Sequence, residues 1–184
     1  MNMITTDLSY PIGKVADQVF TGKGPYEDKL KIAALRKIEL LPQLLEFAVL
    51  NLDEVQLNTP YRPGGWTVKQ VVHHMADSHM NAFIRFKLGL TEDNPTIKPY
   101  DQDAWSNLKD VTNIPINVSL TLLHALHIRW YTLLNHIKGE EWQRTVFHPE
   151  HQTQMSLWSL LAIYSWHGEH HVAHITELRK RMKW

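Results

Sequence analysis

SLWSLLAIYSWHGEHHVAHITELRKRMK, residues 156–183, carries the pattern that decides the fold. The run has no proline and is far too long for a strand, so its periodicity can be tested against a helix. With His167 at 0° and about 100° per residue, Leu157, Leu160, Tyr164, Ile175, Leu178 and Met182 fall between about 20° and 80°. Ser159, Glu169, Ala173, Thr176, Glu177 and Lys180 take the opposite side. The stretch is therefore an amphipathic helix with its apolar face near 50°. Its four histidines share one broad face, at about 0° (His167), 40° (His171), 340° (His174) and 300° (His170). His171 and then His167 point inward, and residues four apart can converge their rings on one ion. His170 and His174 belong to the margin, where contact with water or an outer hydrogen bond is natural. Buried histidines satisfied by neighbouring side chains remain the competing reading of the inward pair.

Working outward, three more segments keep helical spacing. Thr67 is an N-cap for a helix reaching about Leu90, and Asn117 to Ile137 places Leu120, Leu123, Leu126, Leu133, Leu134 and Ile137 at helical intervals. Tyr26 to about Leu50 reads the same way through Leu30, Leu41, Leu45 and Val49, with Pro42 expected to kink it or break it in two. Between these lie loops rich in Pro, Gly and Asp: NTPYRPGGW (58–66), EDNPTIKPYDQDAW (92–105), with a short helical turn expected near Asp103 to Leu108, and GEEWQRTVFHPEHQTQ (139–154). Residues 1–25 read as an extended arm with turn residues. Strand-like alternation is scarce. The expectation is an all-α, single-domain four-helix bundle spanning residues 1–184.

The composition limits the function. A chain of 184 residues buries enough core to need no structural metal, so a metal site here is one for chemistry. Nineteen Lys and Arg balance nineteen Asp and Glu, which gives no electrostatic case for nucleic acid or an anionic membrane. No cysteine is present, which excludes disulfides, thiolate ligands and an internal thiol nucleophile. No signal pattern and no apolar run near the roughly 18 residues of a membrane span is found, so a cytoplasmic protein is expected. Twelve histidines make a search for metal ligands worthwhile.

The helix from Thr67 offers the second half of such a site. Val68, Val71, Val72, Met75, Ala82, Phe83 and Phe86 form its apolar face. His74, Asp77, Ser78, Asn81 and Arg85 form a polar stripe beside it, which fits either solvent or a cleft between helices. His73 points about 100° away from His74, and His79 lies in the apolar sector as a core histidine. His124 and His127 are an alternative pair on the third helix. The zinc-protease H-E-x-x-H pattern, a G-x-S-x-G elbow, a phosphate loop, a dinucleotide fingerprint and the paired E-x-x-H of di-iron bundles are all absent.

Several long stretches together resemble the YfiT branch of the DinB-like metal-binding bundles. They are residues 64–105 (GGWTVKQVVHHMADSHMNAFIRFKLGLTEDNPTIKPYDQDAW) and 164–182 (YSWHGEHHVAHITELRKRM), with LSYPIGK, TPYRPGGW, LHIRW and FHPE. The likeness covers nearly the whole chain. It implies an up-down-down-up bundle and one divalent metal per subunit held by three histidines, at the positions of His74, His167 and His171. It also implies a metal-dependent hydrolase acting on a small molecule, and a homodimer. Relatives in the wider superfamily transfer low-molecular-weight thiols such as bacillithiol.

Three neutral imidazoles leave a metal its charge and an open position, where water becomes acidic enough to attack a carbonyl-like centre. The same position suits a thiol, which would have to be a cosubstrate. Zinc is the first expectation for the ion and nickel the second. Asp77, one turn from His74, is the candidate catalytic carboxylate, as proton acceptor or as an outer hydrogen-bond partner. Arg85 is a candidate for an anionic group of the substrate. A metal-binding stress protein without turnover is the reading that is not an enzyme.

Overall fold

The structure is a computed structural model that describes residues 7–184, so the first six residues of the expected arm lie outside it. In chain order the helices are α1 (Asp28–Val49), α2 (Glu54–Leu57), α3 (Val68–Thr91), α4 (Gln102–Ser106), α5 (Lys109–Asn113), α6 (Ile116–Asn135) and α7 (Leu157–Met182). A hairpin of β1 (Thr145–His148) and β2 (Thr153–Ser156) precedes α7. The long helices α1, α3, α6 and α7 form the bundle, and the short ones belong to its connections.

Local chemistry sets where the long helices begin. The Thr67 hydroxyl accepts the Gln70 backbone N–H at 3.1 Å, and the Gln70 side chain returns to the Thr67 N–H at 2.9 Å, a reciprocal cap on α3. Ser156 caps α7 through the Ser159 N–H. Of the kink or break expected at Pro42, the break does not occur: the helix runs on from Asp28 to Val49 with Pro42 inside it. The hairpin is a second departure, since the Pro- and Gly-containing sequence of residues 139–154 predicts a plain connection. Its strands are four residues each, too short for alternation to stand out, and fully buried Val146 anchors it to the core.

Contacts between helices give the direction of each. Along α1, Lys37 pairs with Glu169 at 2.7 Å, and further on Ala48 accepts from Arg179, so α1 and α7 are parallel. Ile38 meets His127 while Glu46 meets His124, so α1 and α6 are antiparallel. His73 meets Ser119 and His79 meets His127, so α3 and α6 are parallel. His74 meets His167 while Arg85 meets Tyr164, so α3 and α7 are antiparallel. The order is up-down-down-up. Gly168 lets α1 and α7 approach closely, because a Cβ there would lie 2.7 Å from Leu41 Cδ2.

A parallel α3–α6 pair needs a connection that travels back along the bundle. Residues 92–115 provide it. Ile97 bonds to Phe147 of the hairpin, and further on Ser106 and Thr112 accept from Gln70 and Lys69 near the start of α3.

The core consists of two apolar blocks. One gathers Ile38, Phe86, Trp130, Trp142, Leu157 and Trp158, and the other gathers Leu41, Leu45, Val72, Met75, Leu123 and Ile175. Between them every long helix except α1 contributes buried histidine: His73, His74 and His79 from α3, His127 from α6, and His170, His171 and His174 from α7.

Candidate metal centre

His74 arrives from the second turn of α3, and His167 and His171 from successive turns of antiparallel α7. Each offers a ring nitrogen, and the three atoms lie within 4.8 Å of one another. Nε2 of His74 and Nε2 of His167 are 3.3 Å apart. Tetrahedral zinc with ligand distances of about 2.0–2.1 Å places neighbouring nitrogens about 3.3–3.4 Å apart, so this separation matches the one that two ligands sharing an ion would have. The donor set therefore fits a divalent metal.

Burial tunes these rings to the same end. Desolvation pushes His74 down to about 4. His167 and His171 are driven well below the ordinary histidine value, by desolvation first and by neighbouring imidazoles second. Neutral rings keep the lone pairs a metal requires. Trp66 covers the group, its ring 4.5 Å from that of His74 and stacked at 6.3 Å on that of His171. The Trp66 indole N–H donates to Asp103 at 3.0 Å, which ties this cover to the crossover.

Two clefts reach the group. One, of about 460 Å³, is bordered by Tyr10, Tyr61, Arg62, Trp66 and Asp103. The other, of about 420 Å³, is bordered by Arg85, Tyr100, His148, His151 and Tyr164. His167 and Gln102 line both. Arg85 donates to the Tyr164 hydroxyl at 2.7 Å, and among the described residues it has no carboxylate partner.

His73 turns away toward α6, with Nδ1 2.8 Å from the Ser119 hydroxyl. His170 and His174 stay out of the three-nitrogen group, but they are buried rather than marginal. His174 Nε2–H donates to the Ser9 carbonyl at 3.3 Å and its ring stacks on Tyr61 at 3.9 Å, while His170 stacks on Trp166 at 4.4 Å and sits under Tyr10. Their cover comes from the N-terminal arm and the 58–66 loop, which a single-helix projection does not contain. His124 and His127 do not act as a pair: His124 faces exposed Glu46, and His127 is joined to His79. Asp77 is outside the histidine group and lines neither cleft. Its carboxyl is raised to about 6 by burial and then by Asp110.

Trp66, Tyr100, Tyr164 and His148 went unread as site residues. Of these only Trp66 left a signal, as a large aromatic between a Gly-Gly turn and an N-cap.

The family profile described as the DinB superfamily matches residues 37–175. A protein of Bacillus cereus strain 03BB102 named "Putative metal-dependent hydrolase" is 50% identical over 178 residues, covering 97% of this chain and 99% of the relative. A Bacillus anthracis protein (strain A0248) of the same name is 49% identical over 178 residues with the same coverage. Among solved structures, YfiT from Bacillus subtilis, described as a probable metal-dependent hydrolase with an unusual four-helix bundle topology, superposes with a TM-score of 0.91 at 46% identity, covering 96% of this chain and 98% of that one. The fold, the three converging histidines and these relatives lead to one assignment: the chain belongs to the DinB superfamily, in its YfiT-like branch.

Proposed function

We propose that the protein is a metal-dependent hydrolase of a small-molecule substrate, with His74, His167 and His171 holding one divalent ion. The observation that carries this reading is the tetrahedral-edge separation of two neutral ring nitrogens beside a third, at the meeting point of two clefts. The hydrolase names of the relatives support the reaction class. Zinc is the ion we propose first and nickel second, since both accept imidazole sets. A bound ion supplies Lewis acidity and an open position that brings water within reach of ionisation near pH 7. The protein's own groups do the rest. The buried rings stay unprotonated, Trp66 shields them from bulk water, and Arg85, steadied by Tyr164, offers a cation to a polar or anionic end of the substrate.

We keep Asp77 as the proposed proton acceptor on its place one turn from His74 along α3, although it lines neither cleft; a carboxyl near 6 is mostly ionised yet basic at neutral pH. Asp77→Asn is expected to lower turnover by about 10²-fold or more while leaving metal content unchanged. Unchanged turnover removes Asp77 from the reaction.

The two clefts favour a second reading, transfer of a low-molecular-weight thiol. Each cleft could admit one of two reactants to the same ion, and a chain without cysteine needs the thiol from outside. Screening ester, amide and electrophilic substrates on the metal-loaded protein, with and without a small thiol, separates these readings. Turnover without thiol supports the hydrolase, and strict thiol dependence supports the transferase. Stoichiometric metal with no turnover in either arm supports a binding protein.

A further inference from the structure

His167 is gripped from behind. Its Nδ1 lies 3.2 Å from Nε2 of His79, a fully buried residue of α3. Nδ1 of His79 lies 2.9 Å from Nε2 of His127 on α6. Nδ1 of His127 lies 2.6 Å from the backbone carbonyl oxygen of Ile38 on α1. One hydrogen-bonded line thus crosses all four helices and ends at the metal centre.

The direction of every bond in this line is fixed by its first member. A carbonyl oxygen only accepts, so His127 carries its proton on Nδ1 and donates it. His79 and His127 are fully enclosed, and among the described residues no carboxylate bonds to any of the three rings. Nothing there offsets the cost of a buried cation, so each ring is neutral with one proton. Nε2 of His127 is then bare and must accept from Nδ1–H of His79. Nε2 of His79 is bare in turn and accepts from Nδ1–H of His167. The lone pair of His167 is left on Nε2, the atom facing His74 at 3.3 Å. A line that began with a donor would place each proton on the other nitrogen, and His167 would turn an N–H toward the ion.

The starting carbonyl is available because of Pro42. In an uninterrupted helix the N–H of residue 42 would bond to the carbonyl of residue 38, and proline has no N–H. The vacated acceptor is buried in α1 and is taken by His127 instead.

We propose that Pro42, the Ile38 carbonyl, His127 and His79 form a tautomer clamp, with the two histidines as positioning residues that fix the His167 proton on Nδ1 and present Nε2 to a divalent cation. The proposal rests on the reading of His167 as a ligand. The clamp is not a proton exit, because its far end is a carbonyl with no proton to release. His171 has no such support, since its Nδ1 is buried without a hydrogen-bond partner.

The test uses full-length, metal-free protein with ¹⁵N-labelled histidine. Long-range ¹H–¹⁵N correlation at neutral pH should find His127, His79 and His167 all protonated on Nδ1. Finding the proton of His79 or His167 on Nε2 overturns the clamp, whether or not metal binds. His127→Phe keeps a ring but removes donor and acceptor; zinc affinity should fall about 10–100-fold, the usual cost of losing an outer partner, and His167 should lose its single tautomer. His127→Gln, whose amide offers a donor and an acceptor side by side, should restore much of the affinity. A folded His127→Phe with wild-type zinc affinity and an unchanged His167 tautomer overturns the proposal. If that variant fails to fold, the wild-type tautomers still decide. Three Nδ1-protonated rings in a wild type that binds no zinc would uphold the hydrogen-bonded line and refute the metal reading instead.

Discussion

At His74, His167 and His171, burial works against the proton and in favour of a cation, because a desolvated ring resists charging but keeps its lone pair. Replacing any one of the three by alanine should lower metal affinity by at least about 10–100-fold, read as metal per chain after dialysis. His73→Ala and His170→Ala should retain near wild-type metal, since neither ring belongs to the group. A His170→Ala protein that is empty beside a His171→Ala protein that is loaded would mean that the α7 pair is wrongly chosen. That His167 and His171 turn to the same place was legible in the sequence, because residues four apart on one helix share a face. The apolar period did not rank their burial, since His167 is less buried than His170 or His174. The burial of His170 and His174 was not legible, since the atoms covering His174 include Ser9, 165 positions away. Nor was the His79–His127 bond, which depends on the relative height of α3 and α6.

Among the elements, the N-terminal arm shows how backbone shape reaches the site. Gly22 has φ +69°, and a Cβ there would sit 2.5 Å from Ser159 Cα and 2.8 Å from the Trp158 carbonyl oxygen. Both obstacles are backbone and cannot swing aside. The Ser159 hydroxyl donates to the Gly22 carbonyl at 2.9 Å, and Trp166 donates to that of Gly13 at 3.1 Å, so the arm is bonded along α7. Gly22→Ala should cost about 1–3 kcal/mol by overpacking. Thermal unfolding should register the loss, and limited proteolysis should cut within residues 7–25 at unchanged helix content. An arm as resistant as wild type would show that the contact is not needed. The long helices and the Thr67 cap were legible because period and cap chemistry are local. The hairpin escaped because four-residue strands barely alternate. Past Pro42 α1 continues, and the orphaned partner carbonyl on Ile38 is bonded by His127 of another helix, a contact that local sequence does not show.

For the whole molecule, the up-down-down-up order came from resemblance, since periodicity gives helices but not their directions. The histidine layer makes stability depend on pH. His74, His127, His170 and His174 are lowered from 6.5 to about 4, and His79, His167 and His171 are held well below 6.5, by desolvation first in every case. As pH falls from about 6.5 toward 4, the unfolded chain takes up protons that the folded one refuses, so folded stability must fall over that window. Asp77, raised to about 6, acts the opposite way, but as one group against nine histidines, since burial lowers His73 and His148 as well. Denaturant midpoints of chelator-treated protein should therefore drop between pH 6.5 and 4, and a flat profile would contradict buried neutral rings. We also propose that the protein is a homodimer. Trp130, Trp142 and Trp158 are buried, whereas Phe47, Val55, Trp105 and Ile128 are among the exposed apolar groups available for the contact. Sedimentation should give twice the 21.5 kDa chain mass, and a single-chain mass at micromolar concentration refutes the dimer. The pairing of parallel α1 with α7 has a further consequence during synthesis. The ribosome delivers α1, α3 and α6 long before the helix that fits between α1 and α3, and His74 waits 93 residues for His167. A nascent chain thus holds only one of the three ring nitrogens, so an ion shared by all three would be taken up only after the last helix emerges.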